Sequence, residues 1–392
     1  MCAFFVFAPI GVQMPFFPLW LSVRGFTPEG IALLLGVSPV IRFLSNMVLP
    51  PIADRTGDVV RVLLLCALAS AAAQAVSGLA YGIIWIFVFS LLATAGQGPT
   101  IPLLETVILR ESRRRTLRGG GALDYGAIRS AGSISVLFLM LAGGAFASVT
   151  PPTSTIWLIA GTSAAAALAV QLCLGREPPL PAPESRSTEA RVARLGLIAL
   201  VIAASAAVQA SHAIVYAFGS IGWREAGYAD GAIGLLWACG VATEVVFFLL
   251  ARRLSGGATH PYAYLIAGSL IAALRWIAMA FDPGPALLTF LQMLHAGSFA
   301  ATYLGAVLAI AALAPESRRA QIQGWSSGAS ALLLAATTVV SGRLWEDFGS
   351  RAYLAVAVLA LLGLLGAVAA ALFNRSTQPQ SSGLGGNTTE PS

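Results

Sequence analysis

Apolar residues fill long runs along this chain, and the charged, Pro-rich and Gly-rich positions collect in the short gaps between them. Each run comes close to the ~20 residues that a helix needs to cross a hydrocarbon core ~30 Å thick at ~1.5 Å per residue. Division at the gaps predicts twelve membrane-spanning helices, near 2–22, 29–50, 59–81, 83–109, 126–149, 153–174, 195–219, 229–251, 261–281, 285–314, 321–342 and 352–373. The first run lacks a basic flank and a small-residue cleavage pattern, so it reads as a helix and not as a signal peptide. The longest polar interruption, 175–194, reads as a cytoplasmic linker between two six-helix lobes, 1–174 and 195–373. The tail 374–392 is rich in Ser, Gly, Thr and Gln and reads as disordered. The fold class expected is all-α and membrane-embedded, twelve transmembrane helices in two pseudo-symmetric six-helix bundles.

Composition removes the competing classes. Of 392 residues 57% are hydrophobic and 10% charged, whereas a soluble domain carries about 25% charged residues. A soluble enzyme, a disordered chain and a nucleic-acid binder are set aside, despite a net charge of +6. All 23 basic residues are Arg. With the N-terminus placed inside, sixteen arginines fall in inner loops and four (Arg24, Arg224, Arg343, Arg351) in outer ones. That asymmetry puts both termini in the cytoplasm. The four cysteines lie in apolar runs and point to neither disulfides nor a metal cluster.

The two halves repeat. GFTPEGIALLLGVSPVIRF (25–43) aligns with GYADGAIGLLWACGVATEV (227–245) at a constant offset of 202, which sets Arg42 opposite Glu244. Six helices per half make the repeat parallel, and in such two-lobed architectures the substrate site lies near the midplane between the lobes.

Twelve spans, a basic linker and a repeated unit resemble the major facilitator superfamily. PPIADRTGD (50–58) is similar to that superfamily's G-x-x-x-D-R-x-G-R-R signature at Asp54, Arg55 and Gly57, and departs from it at Pro50 and Asp58. The resemblance implies a gating loop at Asp54 and Arg55. A closer resemblance is to the phenylpropionate permease family of proton symporters, akin to lactose permease and nucleoside symporters. It is carried by GFTPEGIALLLG (25–36), IRFLSN (41–46), LDYGAIRSAGSIS (123–135), QASHAIVYAF (209–218), WREAGY (223–228), GVATEVVFF (240–248), ALRWIAMA (273–280) and LHAGSFAATY (294–303). Permeases of this type carry aromatic acids, sugars or nucleosides.

Charges inside spans are costly, at least ~2.5–3.5 kcal/mol each on insertion scales, and mark sites or buried pairs. Glu244 is the leading proton-coupling candidate, set against a structural partner of Arg42. Arg42 is read as a counter-charge that holds Glu244 or a substrate carboxylate. Arg275 either snorkels outward or, as the resemblance implies, helps a carboxyl near it lose its proton. Gln209, His212 and Tyr216 share a helix face, and Gln292, His295, Ser298 and Thr302 form a second polar stripe. Either stripe packs helices together or lines a watered cavity. The resemblance favours the cavity, with His295 joining the proton set. Glu105 and Arg129 read first as an ion pair, and the resemblance adds substrate binding. GQGPTIP (96–102) predicts a kinked helix. Phe16, Phe17 and Trp237 read as packing residues first and as substrate-stacking residues second.

No H-E-x-x-H, G-x-S-x-G or nucleotide-binding motif appears, so neither an enzyme nor an ATP-driven pump is expected. The reading is a monomeric secondary transporter in the cytoplasmic (inner) membrane, driven by the proton gradient and needing no cofactor. It moves a small organic solute, an aromatic or other small carboxylic acid such as a phenylpropionate, by proton symport. A sugar or nucleoside symporter and a proton-coupled efflux permease are the alternatives.

Overall fold

A computed structural model describes residues 1–118, 125–175, 195–254, 260–314 and 316–376. The expected linker beyond Gly175 and the tail beyond Ser376 lie outside the described residues, as do the side chains of Asp54 and Arg129. Lipid offers no hydrogen-bond partner to the backbone, so a spanning segment must satisfy its own N–H and C=O groups, which a helix does. The first half holds α1 (Cys2–Val23), α2 (Pro28–Thr56), α3 (Val59–Leu79), α4 (Ile83–Gln97), α5 (Thr100–Leu117), α6 (Tyr125–Val149) and α7 (Thr155–Cys173). The second holds α8 (Leu195–Ala210), α9 (Ser220–Glu225), α10 (Asp230–Leu254), α11 (Pro261–Met279), α12 (Pro285–Met293), α13 (Ala301–Leu313), α14 (Glu316–Phe348) and α15 (Tyr353–Ser376). Eleven stretches among the described residues are long and apolar enough to cross a membrane. The last of them, Gln321–Arg375, takes in most of α14 and of α15 with a 3-10 turn at Gly349–Ala352 between, so the crossings among the described residues number twelve.

The repeat is visible in the backbone. α2 and α10 begin at Pro28 and Asp230, α3 and α11 at Val59 and Pro261, and α4 and α12 at Ile83 and Pro285, each pair 202 positions apart. The turn into the second span is the same in both halves. Gly25 and Gly227 have φ of 86° and 90°. The N–H of Phe26 donates to the Leu21 carbonyl and that of Tyr228 to the Trp223 carbonyl, at 3.1 and 2.9 Å. These are the bonds of a helix closed by a left-handed residue, a conformation that costs an L side chain about 1–2 kcal/mol. Gly25→Ala and Gly227→Ala are each expected to lower stability by ~1 kcal/mol. Thermal unfolding of the detergent-solubilised variants reads the effect, and two unchanged transitions would refute the strained-turn account.

The departure from the loop signature also has a structural role. Gly57 (φ 74°) ends α2, and the Asp58 carboxylate then caps α3 by accepting from the Arg61 N–H at 3.0 Å. Arginine cannot accept that bond.

The lobes meet unevenly. α2 packs on α14 and α6 on α10, through the halves of these helices nearest Glu29 and Asp230. Arg343 reaches Glu29 at 3.3 Å, and the Gly231 N–H donates to Ser148 Oγ at 3.0 Å. One apolar cluster, with Trp20, Phe26, Ile31, Phe218, Trp223 and Tyr353, joins both lobes on this side. Around Leu63 and Val170 in the first lobe, and around Leu265 and Ile310 in the second, the buried clusters are separate. The molecule is closed on the Glu29 side.

Candidate functional site: an interlobe cavity and a buried charge relay

Between the lobes lies a cavity of about 370 Å³. Its walls are mostly apolar, with Ile10, Met14, Phe17, Leu35 and Leu334 among them. Gln13, Ser38, Thr94, Tyr216 and Thr338 add polar groups, and among the described residues Arg42 is the one charged residue of the lining. The break predicted at GQGPTIP makes room for that arginine. α4 stops at Gln97 and α5 starts at Thr100, and a Cβ on the intervening Gly98 would stand 2.8 Å from Arg42 Cγ. The matching place in the second half is a π-helical segment, Ala296–Ala300.

The second lobe carries a chain of buried polar groups beside the cavity. Glu244 on α10 lies 3.5 Å (Oε2) from His295 Nε2. The Arg275 guanidinium, 1% exposed, donates to His295 Nδ1 at 3.4 Å, Ser298 Oγ at 3.2 Å and Gln292 Oε1 at 2.8 Å. It also sits 4.5 Å from the centre of the Trp276 ring, a cation–π contact. Among the described residues no carboxylate lies within ion-pair distance of Arg275. Donor and acceptor chemistry assigns the tautomers. Arginine only donates, so His295 Nδ1 accepts and the ring proton sits on Nε2, toward Glu244. His212 Nδ1 faces the Val208 carbonyl at 3.0 Å, so it carries the proton, and Nε2 accepts from Ser298 Oγ at 3.2 Å.

The two polar stripes run along each other. The Gln209 amide donates to the Phe299 carbonyl at 3.3 Å, His212 meets Ser298, and Tyr216 packs against His295 with ring centres 6.5 Å apart. Tyr216 and Met14 line the large cavity and also border a small void with Arg275, Gln292 and His295. Tyr216 thus stands between the two, on a π-helical segment, Val215–Gly219. Such segments in α-helices concentrate at functional sites.

The sequence candidates therefore separate. Glu244, His295, Arg275 and Gln292 come together, with Tyr216 at the border of the cavity and Arg42 in its wall. In this conformation Glu244 faces His295, and no ion pair joins it to Arg42. His212 is fully buried and lines neither void, and Gln209 is likewise engaged in helix packing. Arg275 does not snorkel, because its side chain is enclosed within the lobe. Glu105, half-buried on α5, and Arg55, exposed at the end of α2, lie outside the cavity lining. Phe17 lines the cavity, Phe16 is buried in the core, and Trp237 stacks on Tyr216 at 6.1 Å. Sequence reasoning missed Trp276 as the support of Arg275, although it is the adjacent residue. It also missed Gln13, Ser38, Thr94 and Thr338 as cavity groups. Gln13, Ser38 and Thr94 are lone polar residues in apolar runs and Thr338 is one of a Thr pair, and only the bundle shows that they share a lumen.

Comparison with known proteins agrees with the architecture. The chain is 27% identical over 361 residues to a protein described as a probable 3-phenylpropionic acid transporter from Escherichia coli (strain K12), covering 91% of this chain and 93% of that one. It is 26% identical over 379 residues to a maltose permease of Geobacillus stearothermophilus, covering 92% and 91%. Among solved structures it superposes on the nucleoside transporter NupG with a TM-score of 0.76 at 15% identity, covering 95% of this chain and 97% of that one. A bacterial homologue of the human lysosomal transporter Spinster, inward-facing and unoccupied, gives 0.73 at 15% identity and 97% coverage of both chains. These structural likenesses establish the shared fold. A family model described as the MFS_1 like family matches residues 1–355, and the chain belongs to that family, as a membrane transporter of the major facilitator superfamily.

Proposed function

We propose that this transporter is a proton symporter for small aromatic or other apolar carboxylic acids, working as a monomer in the cytoplasmic (inner) membrane with both termini inside. The observation that carries the substrate class is the cavity wall, where the cation Arg42 stands among apolar and neutral polar side chains of the described residues. A guanidinium binds a carboxylate bidentately, and the apolar wall suits a hydrocarbon or aromatic body. Sugars and nucleosides offer no charge to Arg42. The relative described as a probable 3-phenylpropionic acid transporter supports the same class. On this assignment the closed Glu29 side faces outward and the state is inward-facing.

Coupling follows from charge. With Glu244 ionised, its carboxylate offsets Arg275 through His295. When Glu244 takes up a proton, the arginine's charge is uncompensated and attracts an anion in the cavity across Tyr216. Proton and substrate anion therefore favour each other's binding, and the empty, deprotonated relay is free to reorient. The chemistry requires only the gradient and no cofactor. Apparent affinity for an ionised substrate should rise as pH falls through the titration of Glu244. Arg42→Gln should weaken binding roughly 10- to 100-fold, the span expected for lost hydrogen bonds to a charged group. The test is uptake of labelled 3-phenylpropionate, maltose and uridine by vesicles, with and without a pH gradient. Uptake of the acid alone, stimulated by an acidic exterior, supports the proposal. Gradient-driven uptake of the sugar or nucleoside with none of the acid would overturn it.

A further inference from the structure

A second cavity, of about 200 Å³, lies wholly in the second lobe near the closed Glu29 side, apart from the interlobe cavity. It shares no lining residue with that cavity. Trp223, Tyr228, Trp345 and Tyr353 contribute four aromatic side chains to its walls. Asp282, in the loop between α11 and α12, is the one charged residue of the lining among the described residues. Its Oδ2 accepts from Ser350 Oγ at 3.0 Å, and the described residues offer the carboxylate no ion-pair partner. Among the described residues, Asp282 is also the one non-glycine with positive φ, 49°, so the backbone is strained at the residue that brings the carboxylate to the rim. The alternative role for Asp282 is to complement the N-terminus of α12, whose cap residue Gly284 also borders the space. That terminus carries about half a positive charge, less than the full charge of the carboxylate.

Aromatic side chains make up much of the wall, and a carboxylate at the rim supplies a full charge. Together they select a cation that is large and weakly hydrated over a metal ion or an anion. We propose that this cavity is a binding site for a small organic ammonium ion, entered from the Glu29 side and separate from the transported substrate. Its floor adjoins the charge relay. Met279 lines the cavity and its sulfur accepts from the Gln292 amide at 3.9 Å, while Tyr353 stacks on Trp276 at 5.8 Å. Both neighbours hold Arg275, so an occupant leans on the residues that fix the buried guanidinium.

Choline and its neutral isostere 3,3-dimethylbutan-1-ol, titrated into the full-length protein in nanodiscs, test the proposal through tryptophan fluorescence. Choline is expected to bind saturably and at least roughly tenfold more tightly than the alcohol. Asp282→Asn should weaken choline binding about tenfold, Asp282→Glu should preserve it, and Trp345→Leu should weaken it. Arg42→Gln should leave choline affinity unchanged, which places the ligand outside the interlobe cavity. Equal affinity for the two probes, no saturable choline binding, or an unaltered Asp282→Asn protein would each overturn the assignment. Folding of each variant is checked by its thermal unfolding transition and not by substrate binding, so the result stands apart from the fate of the symport reading.

Discussion

A Glu244→Gln protein is expected to lose uphill accumulation completely while still exchanging external for internal substrate. The amide matches the carboxyl in size, and its oxygen still accepts from His295 Nε2, which lies 3.5 Å from the carboxylate in the structure. The lobe should therefore fold with Arg275, Gln292 and Ser298 in place. What the amide lacks is a proton to release. Locked in the charge state of the loaded relay, the protein binds the anion and carries it both ways, but it cannot return empty. Counterflow in proteoliposomes measures the retained step, and gradient-driven uptake measures the lost one. Normal accumulation by a well-folded Glu244→Gln protein would remove Glu244 from the coupling role. Loss of both activities together with loss of folding would make it a packing residue.

The second large effect concerns closure. On the Glu29 side the lobes approach to backbone contact at glycines. A Cβ on Gly234 would stand 2.5 Å from the Met140 carbonyl oxygen, and one on Gly36 would stand 2.9 Å from that of Ala335. Backbone at such distances cannot yield as a flexible side chain does. Indole side chains at both positions, Gly36→Trp with Gly234→Trp, should hold the lobes apart on this side. Translocation is expected to fall to background while substrate binding survives, because neither residue lines the cavity. Equilibrium binding and uptake on the same preparation read both quantities. Near-normal uptake would show that the lobes need not meet here during the cycle.

Much of this was legible in the chain itself. Long apolar runs force helices in lipid, so the twelve crossings followed from run length. The offset of 202 appeared in the pairing of Gly25 with Gly227 because a left-handed turn needs glycine in both halves. Partners across lobes were harder to read. The repeat set Arg42 opposite Glu244, yet a repeat aligns positions within lobes and does not say which side chains meet between them. Glu244 turned to His295, which lies in its own lobe. Arg275, near a span end, carried the pattern of a snorkelling residue. It is buried because Trp276, Gln292 and Ser298 enclose its head group, and that enclosure depends on how α11, α12 and the Ala296–Ala300 segment pack. The π-helical segments at Val215–Gly219 and Ala296–Ala300 have no signal in composition, since one extra residue per turn leaves the apolar run unbroken.

The most direct test is to follow both species at once. Proteoliposomes in weakly buffered medium, with no imposed gradient, receive labelled 3-phenylpropionate held in its ionised form, while a pH electrode records the exterior. Symport predicts that the medium turns alkaline as label enters, in fixed proportion to uptake, and that Glu244→Gln abolishes the pH change. Entry of label at an unchanged external pH, with the Glu244→Gln protein indistinguishable from the parent, would contradict it.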